Sequence, residues 1–126
     1  MAGETILHVG YDPALTELRQ QVLERSGYHV ISLLGNDAAR ATAQSITPDA
    51  IVIGSGGDYH ERLEIALWVR EKMRAVPLLV MCASPDEEFP PGISPFLGDT
   101  VRDWLVAVDS MVEKSRREAR ARVAQR

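Results

Sequence analysis

The sequence is short of several residue types, and each shortage excludes something. One cysteine, Cys82, stands in 126 residues, so no intramolecular disulfide can form and no pair has metal-ligand spacing. Only two lysines occur, Lys72 and Lys114, and neither follows a glycine-rich turn, which removes a P-loop. Aromatics are 6% of the chain. No apolar run approaches a membrane span, and the start, Met1-Ala2-Gly3-Glu4, has no charged region ahead of a long apolar one. A reducing, cytoplasmic setting without membrane contact is therefore expected.

What is present is ordinary for one globular domain: 45% hydrophobic and 25% charged residues. The net charge of −4 is unevenly spread. Of 14 basic and 18 acidic residues, six and two fall in 113–126, leaving 8 basic and 16 acidic for the rest. The body is thus −8 and the tail +4. An acidic body argues against a nucleic-acid surface, except for weak contact through the tail. Glu113–Arg117 and Glu118–Arg122 are i,i+4 pairs in the favourable order. Residues 1–112 are read as one domain and 113–126 as a basic, helical extension.

Apolar runs alternate with helix-like patterns. Thr5 to Val9 reads as a buried strand, broken at Gly10-Tyr11-Asp12-Pro13, with Asp12 as N-cap of a helix carrying Leu15, Leu18, Val22 and Leu23 inward. Ser26-Gly27 ends it, and Tyr28 to Leu34 forms the second strand. Asn36 is expected to cap an Ala-rich helix from Asp37 to about Ile46. Ala50 to Ile53 makes a third strand, followed by Gly54-Ser55-Gly56-Gly57. Asp58 then caps a helix from Tyr59 to about Arg74, with Leu63, Ala66, Leu67 and Met73 inward. Leu78 to Cys82 is the fourth strand. Ile93 to Leu97 reads as an edge strand, because Pro95 fits only there. A last helix from Thr100 presents Val101, Trp104, Leu105, Val108, Met111 and Val112. Continuous apolar strands alternating with helices predict a doubly wound α/β domain on a parallel sheet.

The stretches "ILHVGYDPALTELRQQVLERSGYHVIS", "TPDAIVIGSGG" and "VPLLVMCAS" resemble the receiver domain of bacterial response regulators. The resemblance implies a flavodoxin-like (CheY-like) parallel sheet of strand order 2-1-3-4-5. Only about ten residues, Ser84 to Ile93 with three prolines, separate the last two strands, so the fourth helix is expected to be shortened or missing. Receivers phosphorylate an aspartate after strand three. They use an acidic pair that holds Mg²⁺, a Thr or Ser after strand four and a Lys after strand five. Carried onto this chain, the acidic pair falls on Gly10 and Tyr11, with Asp12 adjacent. The phosphoacceptor falls on Gly54, the hydroxyl on Cys82 and the lysine near Gly98. The resemblance therefore implies a degenerate receiver with no catalytic residue, metal or cofactor.

The loop Ser55, Gly56, Gly57 and Asp58 has three readings: a flexible remnant, a ligand loop, or a contact loop for a partner. No cation adjoins it in sequence, and Tyr59 replaces the last glycine of a GxGxxG pattern. Cys82 is read as a small buried hydrophobe, His8 as a packed core histidine and His60 as a solvated helix start. Glu87 and Glu88 form at most a weak acidic patch. The function expected is a non-phosphorylatable, non-enzymatic module of two-component-like bacterial signalling that binds a protein partner, with a homodimer allowed. The alternative is a small-ligand or nucleotide sensor using the crevice between Gly10–Asp12 and Gly54–Asp58.

Overall fold

The computed structural model describes residues 3–98 and 100–124. Of the expected tail, Gln125 and Arg126 lie outside the described residues, as do Met1, Ala2 and Asp99. The elements run β1 (Thr5–Gly10), α1 (Pro13–Arg25), β2 (His29–Leu34), α2 (Asn36–Ile46), β3 (Ala50–Ile53), α3 (Tyr59–Lys72), β4 (Leu78–Met81), β5 (Ser94–Phe96) and α4 (Val101–Ala124). All strand pairs are parallel and the order is β2-β1-β3-β4-β5. This is the flavodoxin-like arrangement that the alternation of elements and the receiver resemblance predicted. No helix intervenes between β4 and β5 among the described residues, as the proline-rich connection implied.

The strands divide the core by parity. Leu7, Val9, Ile51, Ile53, Leu78 and Val80 face one side, against Ala39 and Ala43 of α2 and Ile65, Ala66 and Val69 of α3. Ile6, Val30, Ala50, Val52, Leu79 and Met81 face the other, against Leu23 of α1 and Trp104, Val108 and Val112 of α4. His8 shares the parity of Ile6 and is fully buried. Its register partners are Ser32 and Val52.

Helix starts follow from local chemistry, with one correction. Asp12 caps α1, its carboxylate accepting from the N–H groups of Ala14 and Leu15 at 2.9 and 3.2 Å. Asp58 caps α3 in a reciprocal box with Glu61. Asn36, expected as a cap, is instead the first residue of α2. Gly35 precedes it at φ 88°, and the Asn36 side chain is drawn to α3 and Tyr11.

Three expected inward positions also face solvent. Leu18, Leu67 and Val101 are 54%, 47% and 54% exposed. On α3 the buried stripe is Arg62, Ile65, Ala66 and Val69, a regular i, i+3, i+4, i+7 set with an arginine at its head. An apolar-only reading of that helix misplaces the stripe.

Candidate functional site

Gly10, Tyr11, Asp12, Gly54, Cys82 and Gly98, the positions implied by the resemblance, lie at or just after the carboxyl ends of β1, β3, β4 and β5, and the three glycines are each crowded by a particular neighbour. At Gly10 a Cβ would fall on the Thr16 hydroxyl of α1. Thr16 is itself buried. At Gly54 a Cβ would stand 3.1 Å from Nη1 of Arg19, 3.2 Å from the Val9 carbonyl and 3.8 Å from Nε2 of His8. The Arg19 guanidinium thus lies where a phosphoacceptor carboxyl would project, anchored by an Nη2 bond to Ser55 Oγ at 3.2 Å. At Gly98 a Cβ would come within 2.5 Å of the Phe96 ring. A lysine there cannot reach inward without displacing that ring.

The electrostatics are inverted relative to an acidic metal site. His8 donates or accepts through Nδ1 with Ser32 Oγ at 3.1 Å, while its Nε2 is buried without a partner. Burial, aided by the Arg19 charge, pushes the imidazole down to about 4, so His8 is neutral at ordinary pH. Arg19 is itself partly desolvated, which lowers its pKa. Both nearby carboxylates, Asp12 and Asp58, hold helix N-termini. A Mg²⁺ ion wants several oxygen ligands, and the residues present do not fit it. Among the described residues, no three His, Cys, Asp or Glu side chains gather as a metal site.

The glycine loop has a packing role. At Gly57 a Cβ would lie 2.7 Å from Cγ of Tyr11, and at Gly56 it would lie 3.5 Å from the Tyr11 Cβ. Bare backbone is therefore needed at Gly57 for the Tyr11 ring to lie against the loop, whereas Gly56 is in ordinary contact. The phenol donates to Asn36 Oδ1 at 2.7 Å, and burial raises its pKa. Tyr11 and Arg19 thus both lie against this loop, Tyr11 at Gly57 and Arg19 at Gly54 and Ser55.

Two residues central to this region stand out only in three dimensions. Arg62 is buried, its side chain 2% exposed, and makes paired 2.7 Å bonds to both carboxylate oxygens of Glu87, whose side chain is 12% exposed. Its Nη1 also reaches the Met81 carbonyl at 3.0 Å and its Nε the Gly57 carbonyl at 3.1 Å. Glu87 additionally accepts from the Ala83 N–H at 2.9 Å. Glu87, expected in a weak surface patch, is therefore the counter-ion of a buried arginine, and only Glu88 is exposed. The Arg62 hydrogen bonds hold the Glu87 carboxyl below its usual range. Arg62, Arg19 and Thr16 left no signal in the local sequence, since polar residues on amphipathic helices ordinarily face solvent.

Cys82 is half-buried, with its N–H on the Phe96 carbonyl at 2.8 Å. Burial and the Glu87 charge push the thiol upward, opposite to a reactive cysteine. His60 is exposed, and its ring lies 5.5 Å from that of Tyr59. No helix among the described residues is long and apolar enough to cross a membrane.

Comparison with known proteins places this geometry. No family model matches the chain. The alkaline phosphatase synthesis transcriptional regulatory protein PhoP of Bacillus subtilis is 33% identical over 123 residues, covering 96% of this chain and 47% of PhoP. The chain thus spans about half the length of that relative. A CheY-like receiver domain protein of Methanospirillum hungatei superimposes with a TM-score of 0.81 at 17% identity, over 92% of this chain and 98% of that one. The response regulator TrrA of Thermotoga maritima, solved with Mg²⁺ and BeF, superimposes at 0.73 with 18% identity, over 86% and 98% of the two chains. TrrA in complex with the histidine kinase ThkA also gives 0.73, at 17% identity over 86% and 97%.

Proposed function

We propose, from the premise that the chain is a CheY-like receiver domain, that it is a receiver of two-component signalling that takes no phosphoryl group and acts by binding another protein. One observation carries the reading. The place of the phosphoacceptor is a glycine whose missing side chain is replaced by a guanidinium from α1, 3.1 Å from where Cβ would be. A cation at that point opposes Mg²⁺ binding and offers no nucleophile. Thr16 under Gly10 and Phe96 over Gly98 leave no space for the other groups such chemistry requires. The domain is accordingly read as non-enzymatic and bacterial. The partner class is a signalling protein, by analogy with TrrA, which is seen with its kinase.

The test is incubation with a small phosphodonor and Mg²⁺, followed by intact mass measurement. No added phosphoryl mass is expected, and beryllofluoride should leave the amide spectrum unchanged. Gly54→Asp alone should remain unphosphorylated, because the new carboxylate would pair with Arg19 and still lack an acidic pair. Phosphoryl mass on the unaltered chain, or a beryllofluoride-induced shift in it, would overturn the proposal, and a phosphorylated Gly54→Asp protein would refute the blocking role given to Arg19.

A further inference from the structure

The charge that gathers without compensation lies at the opposite end of the sheet. Between the C-terminal end of α3, the amino ends of β4 and β5, and α4 is an open cavity of about 460 Å³. Three cations line it: Arg70, Arg74 and Lys114. Among the described residues none of the three has a carboxylate within 4.0 Å, whereas Arg40, Arg62, Arg116, Arg117 and Arg120 all do. Glu118 is the one acid on the lining and pairs with none of them.

Arg70 is held in place rather than left mobile. Its Nη1 donates to the Gly92 carbonyl at 3.0 Å and its Nη2 to the carbonyls of Met73, at 3.5 Å, and Val76. Its Nε is buried with no partner, and desolvation lowers the guanidinium pKa. Gly92 has φ 91°, and a Cβ there would stand 3.4 Å from the Arg70 Cδ. Main-chain carbonyls orient the cation without neutralising it, which preserves its pull on an anion. Ser94 and Ser115 add hydroxyls to the wall, and Val76, Ile93 and Met111 add apolar surface.

We propose that this cavity binds a small phosphate ester, with the phosphate against Arg70, Arg74 and Lys114 and the body of the ligand on the apolar surface. An uncharged aliphatic ligand would make no use of the three cations and would cover them without pairing them. A bare inorganic ion would leave the apolar wall unused, so an amphipathic anion fits the lining as a whole. The site is separate from the β1–β3 crevice and does not depend on whether the domain takes a phosphoryl group.

The full 126-residue chain, titrated with ADP while amide shifts are followed, tests this. Perturbations are expected at residues 70–78, 92–94 and 111–118, with inorganic pyrophosphate binding more weakly at the same residues. Arg74→Gln combined with Lys114→Gln alters exposed side chains and should fold normally while weakening ADP about tenfold or more. Arg117→Gln combined with Arg120→Gln, farther along α4 and outside the cavity lining, should leave it unchanged. Absence of perturbation at these residues, retention of affinity in the first double variant, or its loss in the second would each overturn the proposal.

Discussion

At the scale of single residues, His8 carries the clearest pH signature. Its pKa is about 4 in the fold against about 6.5 unfolded. The unfolded chain therefore binds the proton first as pH falls. Stability is full above about pH 6.5, is lost between there and pH 4, and levels off below. The loss by pH 4.5 is about 2.5 kcal/mol. Urea unfolding of the unaltered chain and of His8→Gln at pH 7 and 4.5 checks this. The variant should lose about that much less than the parent on acidification, and equal losses would show that His8 does not govern the slope. Reading His8 as a core histidine required only its place in an apolar run. Its pairing with Ser32 and its closeness to Gly54 depend on strand register and on Arg19 reaching over from α1. Neither leaves a mark in local sequence.

At the scale of elements, the connection from β4 to β5 replaces a helix with a docked loop. Arg62 and Glu87 do most of the fastening, helped by Tyr59, whose hydroxyl donates to the Glu88 carbonyl and whose ring meets Phe89 edge-on. Arg62→Leu leaves Glu87 charged and half-enclosed and is expected to cost about 3–5 kcal/mol. Arg62→Leu with Glu87→Leu should recover a large part of that, since neither charge is then stranded. A double-mutant cycle by denaturant unfolding measures the coupling, and additive losses would refute it. The carboxyl of Glu87 is lowered by its pairing, so this support is present above about pH 4.5 and fades as pH drops through the lowered value. Pro85, Pro90 and Pro91 made the missing helix legible in the sequence. The fastening was not, because an arginine on an amphipathic helix normally marks the wet face. Here four of its five N–H donors find Glu87, Met81 and Gly57, all within the fold.

At the scale of the whole molecule, topology was legible because it rests on redundant signals. Five apolar runs, proline and glycine punctuation, and right-handed crossovers leave few alternatives. The candidate site could be read from the sequence only as a set of absences, at Gly10, Gly54, Cys82 and Gly98, which the resemblance implied. What fills those absences comes from α1, from the Phe96 ring and from Tyr11, which meet only once the sheet is built. The tail follows local rules more closely. Glu113 lies within 3.6 Å of Arg116, Arg117 and Arg120, and Arg116 also pairs with Glu4, the contact that ties the helix to the start of the chain. Glu4→Gln should raise amide exchange in residues 117–124 while leaving the sheet protected. Unchanged exchange there would show the helix to be held by other means.

The single helix α4 also has a mechanical consequence. Val112 is its last buried residue and Arg116 is paired to Glu4; at 1.5 Å per residue the stretch from Arg116 to Ala124 runs on for about 12 Å. A tilt of about 5° pivoting at Arg116 would sweep the far end through about 1.0 Å by the same geometry. The rod is a lever: a shift too small to notice within the sheet reaches its tip magnified, and the Glu4–Arg116 pair sets how stiffly it is mounted.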